Sequence, residues 1–366
     1  VTVPKIGIST AFLGNLRAGT WQYTSHILEG VTEKAGFAAL DREKRSLPGL
    51  ELPLRSYPGG GKGLAKLLWP NFILPGRAAA DGFDLVHCTT PYGTFMPCRY
   101  RNVITICDVT PLLFPGTHGR MNVFHHRHIL PAILRQADHV ITISEASRRD
   151  IVRLYRLPEE KVTVTMLAAD RRFFQAVSPQ PDTAAQRPYI FNIGTLEPRK
   201  NLPCLLRAFA AARGKGLPHR LVITGASGWG GSDLARLVDD LALQQDVTFT
   251  GFIDDEQLPG LYAGADFVVY PSLYEGFGLP VLEAMASGAP VITSNISSLP
   301  EVAGDAALLV DPHSVSELCN AMLKLAGDGA LCAHMRALGK KQASGFSWSR
   351  TVAETVRVYE RLLGGA

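Results

Sequence analysis

The sequence predicts an α/β protein made of two doubly wound, parallel-sheet domains, and three observations carry that reading. Short β-branched runs recur between longer helical stretches along the whole chain. These runs are apolar nearly throughout instead of alternating, the pattern of strands covered by helices on both faces. A proline-rich segment at 175–188, with three prolines and few large apolar residues, divides the 366 residues into halves of similar size. Each half falls within the ~100–200 residues of a usual domain.

In chain order, the first strand follows the N-terminus at Ile6-Gly7-Ile8, and strands are predicted at 84–87, 102–106 and 139–143. The second half continues with strands at 189–193, 221–224, 247–249, 267–270 and 290–293. Towards the end, Val352, Val356, Tyr359 and Leu363 share one face of a predicted helix. The expected division is 1–180, 181–345 and a terminal helical segment at 346–366.

Apolar residues make up 46% of the chain and the formal net charge is only +4, which excludes disorder as the main state. No apolar run approaches the ~20 residues of a membrane-spanning helix. The first residues lack the segments of a secretory signal, so a cytoplasmic location is expected. Cys88, Cys98, Cys107, Cys204, Cys319 and Cys332 are too dispersed for metal-ligand or redox spacing and read as reduced thiols. Residues 1–180 carry a formal charge of +8 and residues 181–366 one of −4. The basic half is where an anionic partner is expected, the alternative being a scattered, solvated arginine surface. No nucleic-acid partner is expected.

The most informative segment runs from Tyr270 to Pro290. A buried strand ends at Tyr270, glycines open a tight loop, Pro280 suits a first helical turn, and Gly288 suits a helix stop. Gly276 and Gly278 let backbone approach a ligand, and the N–H groups of Phe277, Gly278 and Leu279 lie at a helix N-terminus that attracts phosphate. Glu275 on the loop and Glu283 about one turn into the helix can face one crevice and accept hydrogen bonds from hydroxyls. A second constellation, Gly194-Thr195-Leu196-Glu197-Pro198-Arg199-Lys200-Asn201-Leu202, follows the first strand of the second half. Arg199 and Lys200, leaving a strand end, can neutralise a diphosphate.

Glu275-Gly276-Phe277-Gly278-Leu279-Pro280-Val281-Leu282-Glu283 resembles the E-x7-E motif of retaining family 4 glycosyltransferases of the GT-B fold, two Rossmann-like domains facing a cleft. The 194–202 segment resembles that family's donor-phosphate loop, in a form similar to mannosyl-type members. Further agreement lies at 249–253, 261–266 and 294–302. The likeness covers nearly all of the C-terminal half and the N-terminal half more loosely.

The resemblance implies an acceptor-binding domain at 1–180, a nucleotide-sugar donor-binding domain at 181–345, and a terminal helix that crosses back to the first. It implies transfer of a sugar, first of all mannose from GDP-mannose, to a hydroxyl of a glycan or lipid-linked acceptor in polysaccharide or glycoconjugate biosynthesis. Lys200 with Arg199 would bind the donor diphosphate, and Gly276, Phe277, Gly278 and Leu279 would cradle the distal phosphate and sugar. Glu275 would hold sugar hydroxyls, Glu283 the ribose, and the backbone at Gly251, Phe252 and Ile253 the base. No metal and no cofactor is implied, the nucleotide sugar being a co-substrate.

Three departures stand out. Thr195 follows Gly194 where many relatives have Arg. The N-terminal glycine-rich loop keeps Gly19 but has Trp21 where a second glycine is common. Cys107 precedes Asp108 where relatives often have His, and a thiol of ordinary pKa ~8.5 cannot replace imidazole near neutrality. Asp108 becomes the candidate for positioning or deprotonating the acceptor hydroxyl, its alternative role being to cap the turn before Pro111.

His118, His125, His126 and His128 read as an exposed helix face beside an acceptor groove and not as a metal site. His87 reads either as lining the cleft or as a core residue. Lys62, Lys66 and Trp69 suggest peripheral contact with anionic lipid at the inner membrane face, against the alternative of a helix packed on its own domain. A nucleotide-sugar epimerase and a non-catalytic nucleotide-sugar binder are the competing functional readings. A nicotinamide-dependent oxidoreductase is disfavoured, because no G-x-G-x-x-G follows an early strand.

Overall fold

The computed structural model describes residues 3–13, 19–43, 52–59, 64–175, 188–226 and 231–364. The chain divides into two compact units, Val1–Leu167 with Ser347–Ala366, and Ala168–Phe346.

In the first unit, strands β1 (Ile6–Ser9), β2 (Phe37–Asp41), β3 (Leu54–Ser56), β4 (Leu85–Cys88), β5 (Arg101–Thr105), β6 (His139–Thr142) and β7 (Val162–Val164) form one sheet. Its order is β3-β2-β1-β4-β5-β6-β7, and every pairing is parallel. Continuous apolar runs explain the double coverage, since Ile8, Val86, Ile104 and Val140 are fully buried. Three strands of this sheet go beyond the sequence expectation: β7, Val162-Thr163-Val164, is β-branched throughout but only three residues long, and β2 and β3 have weak β character. Phe37-Ala38-Ala39-Leu40-Asp41 has no β-branched residue, and Leu54-Arg55-Ser56 is a short, largely exposed edge.

The terminal helix, Trp348–Leu362, starts at Ser347, whose side chain accepts from the Arg350 N–H. It belongs to the first unit and packs on the helix Gly19–Val31. Its Tyr359 hydroxyl lies 2.6 Å from His87 Nδ1, and His87 Nε2 lies 2.7 Å from the Thr105 hydroxyl. Burial depresses the His87 pKa to about 3, so the ring is neutral. His87 is therefore a hydrogen-bonded core residue that ties the terminal helix to β4 and β5.

The second unit holds β8 (Tyr189–Ile193), β9 (Arg220–Thr224), β10 (Val247–Gly251), β11 (Phe267–Tyr270), β12 (Val291–Ser294) and β13 (Ala307–Val310). Their order is β10-β9-β8-β11-β12-β13, again parallel throughout. The chain leaves β8 towards β10 and then returns to add β11 on the other side. The carboxyl ends of β8 and β11 thus flank the topological switch point, where open α/β sheets bind ligands.

The boundary expected at 180/181 falls instead between Leu167 and Ala168. The short helix Arg171–Phe174 goes with the second unit because buried Phe173 packs edge-on against Tyr262, with ring centroids 5.8 Å apart. Most of the proline-rich segment, 176–187, lies outside the described residues.

Candidate donor-binding site

The two segments singled out by sequence converge at the switch point of the second unit. Residues 194–201 leave β8, and residues 271–278 leave β11. Lys200 and Arg199 sit on a single 3-10 turn, Pro198–Lys200, and the Arg199 carbonyl accepts from the Leu273 N–H at 2.8 Å. Asn201, at φ 59°, sends its amide to the carbonyls of Pro271 (3.1 Å) and Pro312 (2.7 Å), fastening the first loop to two others. Gly194, at φ 144°, is required by the lysine itself: a Cβ there would lie 2.9 Å from Lys200 Cε.

Both cations are already engaged. Lys200 Nζ donates to Glu275 Oε1 at 2.7 Å, and Arg199 donates to Glu275 Oε2 at 2.7 Å and to the Tyr274 carbonyl at 3.2 Å. The other end of the guanidinium pairs with Glu197 at 2.7 Å. The Tyr270 hydroxyl completes the cluster, touching Lys200 Nζ and donating to Glu275 Oε1 at 2.9 Å. Burial by itself would raise the Glu275 pKa, but Lys200 and Arg199 together outweigh it and hold the carboxylate at about 2. Burial pushes Lys200 downward, and Glu275 opposes it.

The Glu275 loop is rigidly framed. Ser297 Oγ accepts from the Glu275 N–H, and Ser298 Oγ donates to the carbonyls of Glu275 (2.9 Å) and Phe277 (2.7 Å). Gly278 sits at φ 104° immediately before the helix Leu279–Ala286, and a Cβ would come within 2.7 Å of a Leu299 methyl. No side chain caps this helix start, which leaves it suited to an anion.

Glu283 occupies a different environment one turn into that helix. It is buried, accepts a 3.0 Å hydrogen bond from the Tyr262 hydroxyl, and has its pKa raised to about 8 by burial. The carboxyl is therefore mostly protonated at neutral pH. Gly251, at φ 69°, ends β10 and accepts from the Gly225 N–H, Phe252 is exposed, and Ile253 is half-buried.

Two predicted site residues lie in the other unit. Asp108 Oδ1 accepts from the Thr110 N–H (2.8 Å) and hydroxyl (2.5 Å), so this oxygen closes the turn before Pro111. Gly19 opens its helix in open space, with no atom within 4 Å of the point a Cβ would occupy, and the residues just before it lie outside those described. The Cys107 thiol is pushed up to about 12, by burial first and by Asp108 second, so it is inert.

Two expectations need correction. His125 and His126 are not an exposed face: both are buried, on a π-helical turn His125–Ile129, with ring nitrogens 2.9 Å from the Pro91 carbonyl and 3.0 Å from the Asn122 carbonyl. His128 is exposed. Trp69 is fully buried and donates to the Tyr57 carbonyl at 2.6 Å, which makes it a core anchor instead of a lipid-facing side chain. Lys66 caps the Tyr92 ring at 4.3 Å, and Lys62 lies outside the described residues.

Glu197, Tyr262 and Tyr270 are partners of the charged groups that no sequence motif marks. Tyr270 carried one usable signal, a hydroxyl on the last residue of an otherwise wholly apolar strand. Among the described residues, no group of three His, Cys, Asp or Glu is placed to hold a metal ion, and no helix is long and apolar enough to cross a membrane.

A basic pair thus lies beside a glycine-led, uncapped helix start at the switch point of the second unit's parallel sheet. Residues 174–342 match the family Glycosyl transferases group 1, and residues 31–168 match Glycosyltransferase Family 4. The chain is 36% identical over 277 residues to O-antigen chain mannosyltransferase B of Escherichia coli, covering 73% of this chain and 72% of that protein. It is 33% identical to the MMP alpha-(1->4)-mannosyltransferase of Mycolicibacterium hassiacum over 63% of this chain and 56% of the relative. Sucrose-phosphate synthase from Thermosynechococcus elongatus superposes with a TM-score of 0.76 at 20% identity, covering 100% of both chains. The chain belongs to the group 1, family 4 glycosyltransferases of the GT-B fold, and is a glycosyltransferase.

Proposed function

We propose that this glycosyltransferase moves mannose from GDP-mannose to a hydroxyl of a growing surface glycan or lipid-linked precursor, with retention at the anomeric carbon and without a metal ion. The observation that carries the reading is the Arg199–Lys200–Glu275 cluster at the switch point, beside the uncapped helix start. Support for mannose comes from the two relatives named above, both mannosyltransferases.

In this reading Arg199 and Lys200 neutralise the departing diphosphate in a dry pocket, where preorganised charge is worth several kcal/mol, about the contribution otherwise asked of a cation. Gly276, Phe277, Gly278 and Leu279 offer backbone to the distal phosphate and sugar. Glu275 orients sugar hydroxyls, Glu283 takes the ribose, and Gly251, Phe252 and Ile253 meet the base. Asp108 keeps Oδ2 for the acceptor hydroxyl, and the leaving phosphate itself removes that proton.

The site of action in this proposal is the cytoplasmic membrane face. Exposed Leu64 and Phe72, close in sequence to Lys66 in the basic half of the chain, support contact with anionic lipid. Liposome flotation that is indifferent to anionic lipid would count against that contact.

The deciding experiment is calorimetric titration with GDP, UDP, dTDP and ADP in EDTA, repeated on Lys200→Ala, followed by transfer assays with the matching nucleotide sugar. Micromolar GDP binding that is lost in the variant, with a product of unchanged anomeric configuration, is the expected result. Binding that requires added metal would overturn the metal-independent reading.

A further inference from the structure

The donor site contains a buried hydroxyl that takes no part in the chemistry proposed above. Tyr270 is 1% exposed at the end of β11, between apolar neighbours Val268 and Val269 on one side and Pro271 on the other. A phenylalanine would fill the same volume and bury no polar atom, so the hydroxyl is retained at a desolvation cost that only its partners offset. Those partners are Lys200 Nζ and Glu275 Oε1, and the ammonium also lies 4.7 Å from the ring centroid.

The charges of the cluster cancel. Two cations, Arg199 and Lys200, face two carboxylates, Glu275 and Glu197, and Glu275 commits one oxygen to each cation. A diphosphate that binds Arg199 and Lys200 competes with Glu275 for them. To the extent that the diphosphate wins, the buried carboxylate depends on neutral donors, because buried charges do not tolerate the loss of their partners; the Ser272 hydroxyl is near enough to favour the ionised form but makes no hydrogen bond of good geometry. The Tyr270 hydroxyl donates to Glu275 Oε1 without being a cation that the diphosphate would claim. Burial, with Glu275 adding to it, keeps the phenol protonated and able to donate.

We propose that Tyr270 is a positioning residue of the donor site, whose hydroxyl holds the Glu275 carboxylate in place when the donor diphosphate displaces it from Lys200 and Arg199. Glu275 acts as a stand-in anion while the site is empty and is handed to the sugar hydroxyls as the diphosphate arrives. This inference rests on the donor-phosphate reading of the previous section.

The test compares wild type, Lys200→Ala, Tyr270→Phe and Glu275→Gln, with melting curves confirming that each is folded. The probes are GDP in calorimetry and GDP-mannose in steady-state transfer. Tyr270→Phe is expected to bind GDP within about twofold of wild type and to keep its donor KM within about threefold, while kcat falls at least tenfold. Glu275→Gln, which removes the competing anion, is expected to bind GDP several-fold more tightly than wild type although transfer is lost. A merely structural tyrosine would lower stability and GDP affinity together and would not split kcat from KM. A Tyr270→Phe enzyme with kcat within twofold of wild type, or a Glu275→Gln protein that binds GDP more weakly, overturns the proposal. If Lys200→Ala binds GDP like wild type, the donor-phosphate reading itself falls and takes this inference with it.

Discussion

Glu275 and Glu283 are separated by two helical turns of sequence, yet the second unit holds them in opposite electrostatic states. Glu275 is wedged between two cations and stays ionised, its pKa held at about 2 against the upward pull of burial. Glu283 has, among the described side chains, only the Tyr262 hydroxyl within hydrogen-bond reach and rises to about 8 through burial. The same residue type thus supplies a fixed negative charge at one end of the motif and a titratable acid at the other. The difference arises from partners brought in by other elements, since Lys200 lies 75 residues away from Glu275 and Tyr262 lies 21 from Glu283.

The largest effect that tests this contrast is on turnover. Lys200→Ala removes the cation common to the proposed diphosphate contact and the Glu275 pair. Transfer efficiency is expected to fall about 100- to 1,000-fold, near 3–4 kcal/mol of transition-state stabilisation. Steady-state kinetics with a donor-saturation series checks this, and a loss under tenfold would remove Lys200 from the reacting centre.

Next comes the stability of the uncompensated acid. Glu283 has its folded pKa above its unfolded value, so the folded state binds the extra proton between about pH 4.5 and 8, and the wild type loses stability as pH rises through that window. Glu275 has the opposite sign: its contribution is present above the unfolded carboxylate pKa and is lost as pH falls towards 2. Glu283→Gln should therefore gain on wild type by on the order of 2–3 kcal/mol between pH 5 and pH 7. Denaturant melts at the two pH values measure it, and a gap that stays constant would mean that Glu283 is ionised in the folded protein.

A smaller effect concerns the turn between the two carboxylates. Gly278→Ala places a methyl at φ 104° and against Leu299, and should cost about 1–2 kcal/mol of stability while weakening nucleotide binding. Equal melting temperatures for the variant and wild type would show that the loop relaxes without strain.

How much of this could be read in the sequence follows from what is local. The strands at β4 to β6 and β8 to β12 announce themselves through β-branched runs, and Gly278, Pro280 and Gly288 mark a helix whose start and stop are set by neighbouring residues. The identities of Arg199, Lys200, Glu275 and Glu283 as charged groups near strand ends were equally accessible. Their pairing was not, because hydrogen bonds across 70 to 76 residues depend on β8 and β11 becoming neighbours in the sheet. The same limit explains His125 and His126, whose run of polar residues looks exposed until a π-helical turn points both rings inward.

The finest test separates a ribose-binding carboxylate from a buried structural acid. If Glu283 accepts ribose hydroxyls, its ionised form is the stronger acceptor, because charge-assisted hydrogen bonds are about twice as strong as neutral ones. The nucleotide's own phosphates are already ionised above pH 7. Raising the pH from 7 to 8.5 crosses the Glu283 transition at about 8 and should tighten nucleoside diphosphate binding roughly fivefold, about 1 kcal/mol. Glu275, ionised throughout that range, contributes nothing to the slope. Calorimetry across the range on wild type and Glu283→Gln isolates the effect: the variant should give a flat profile, and a slope that persists in it would assign the proton to another group and return Glu283 to a structural role.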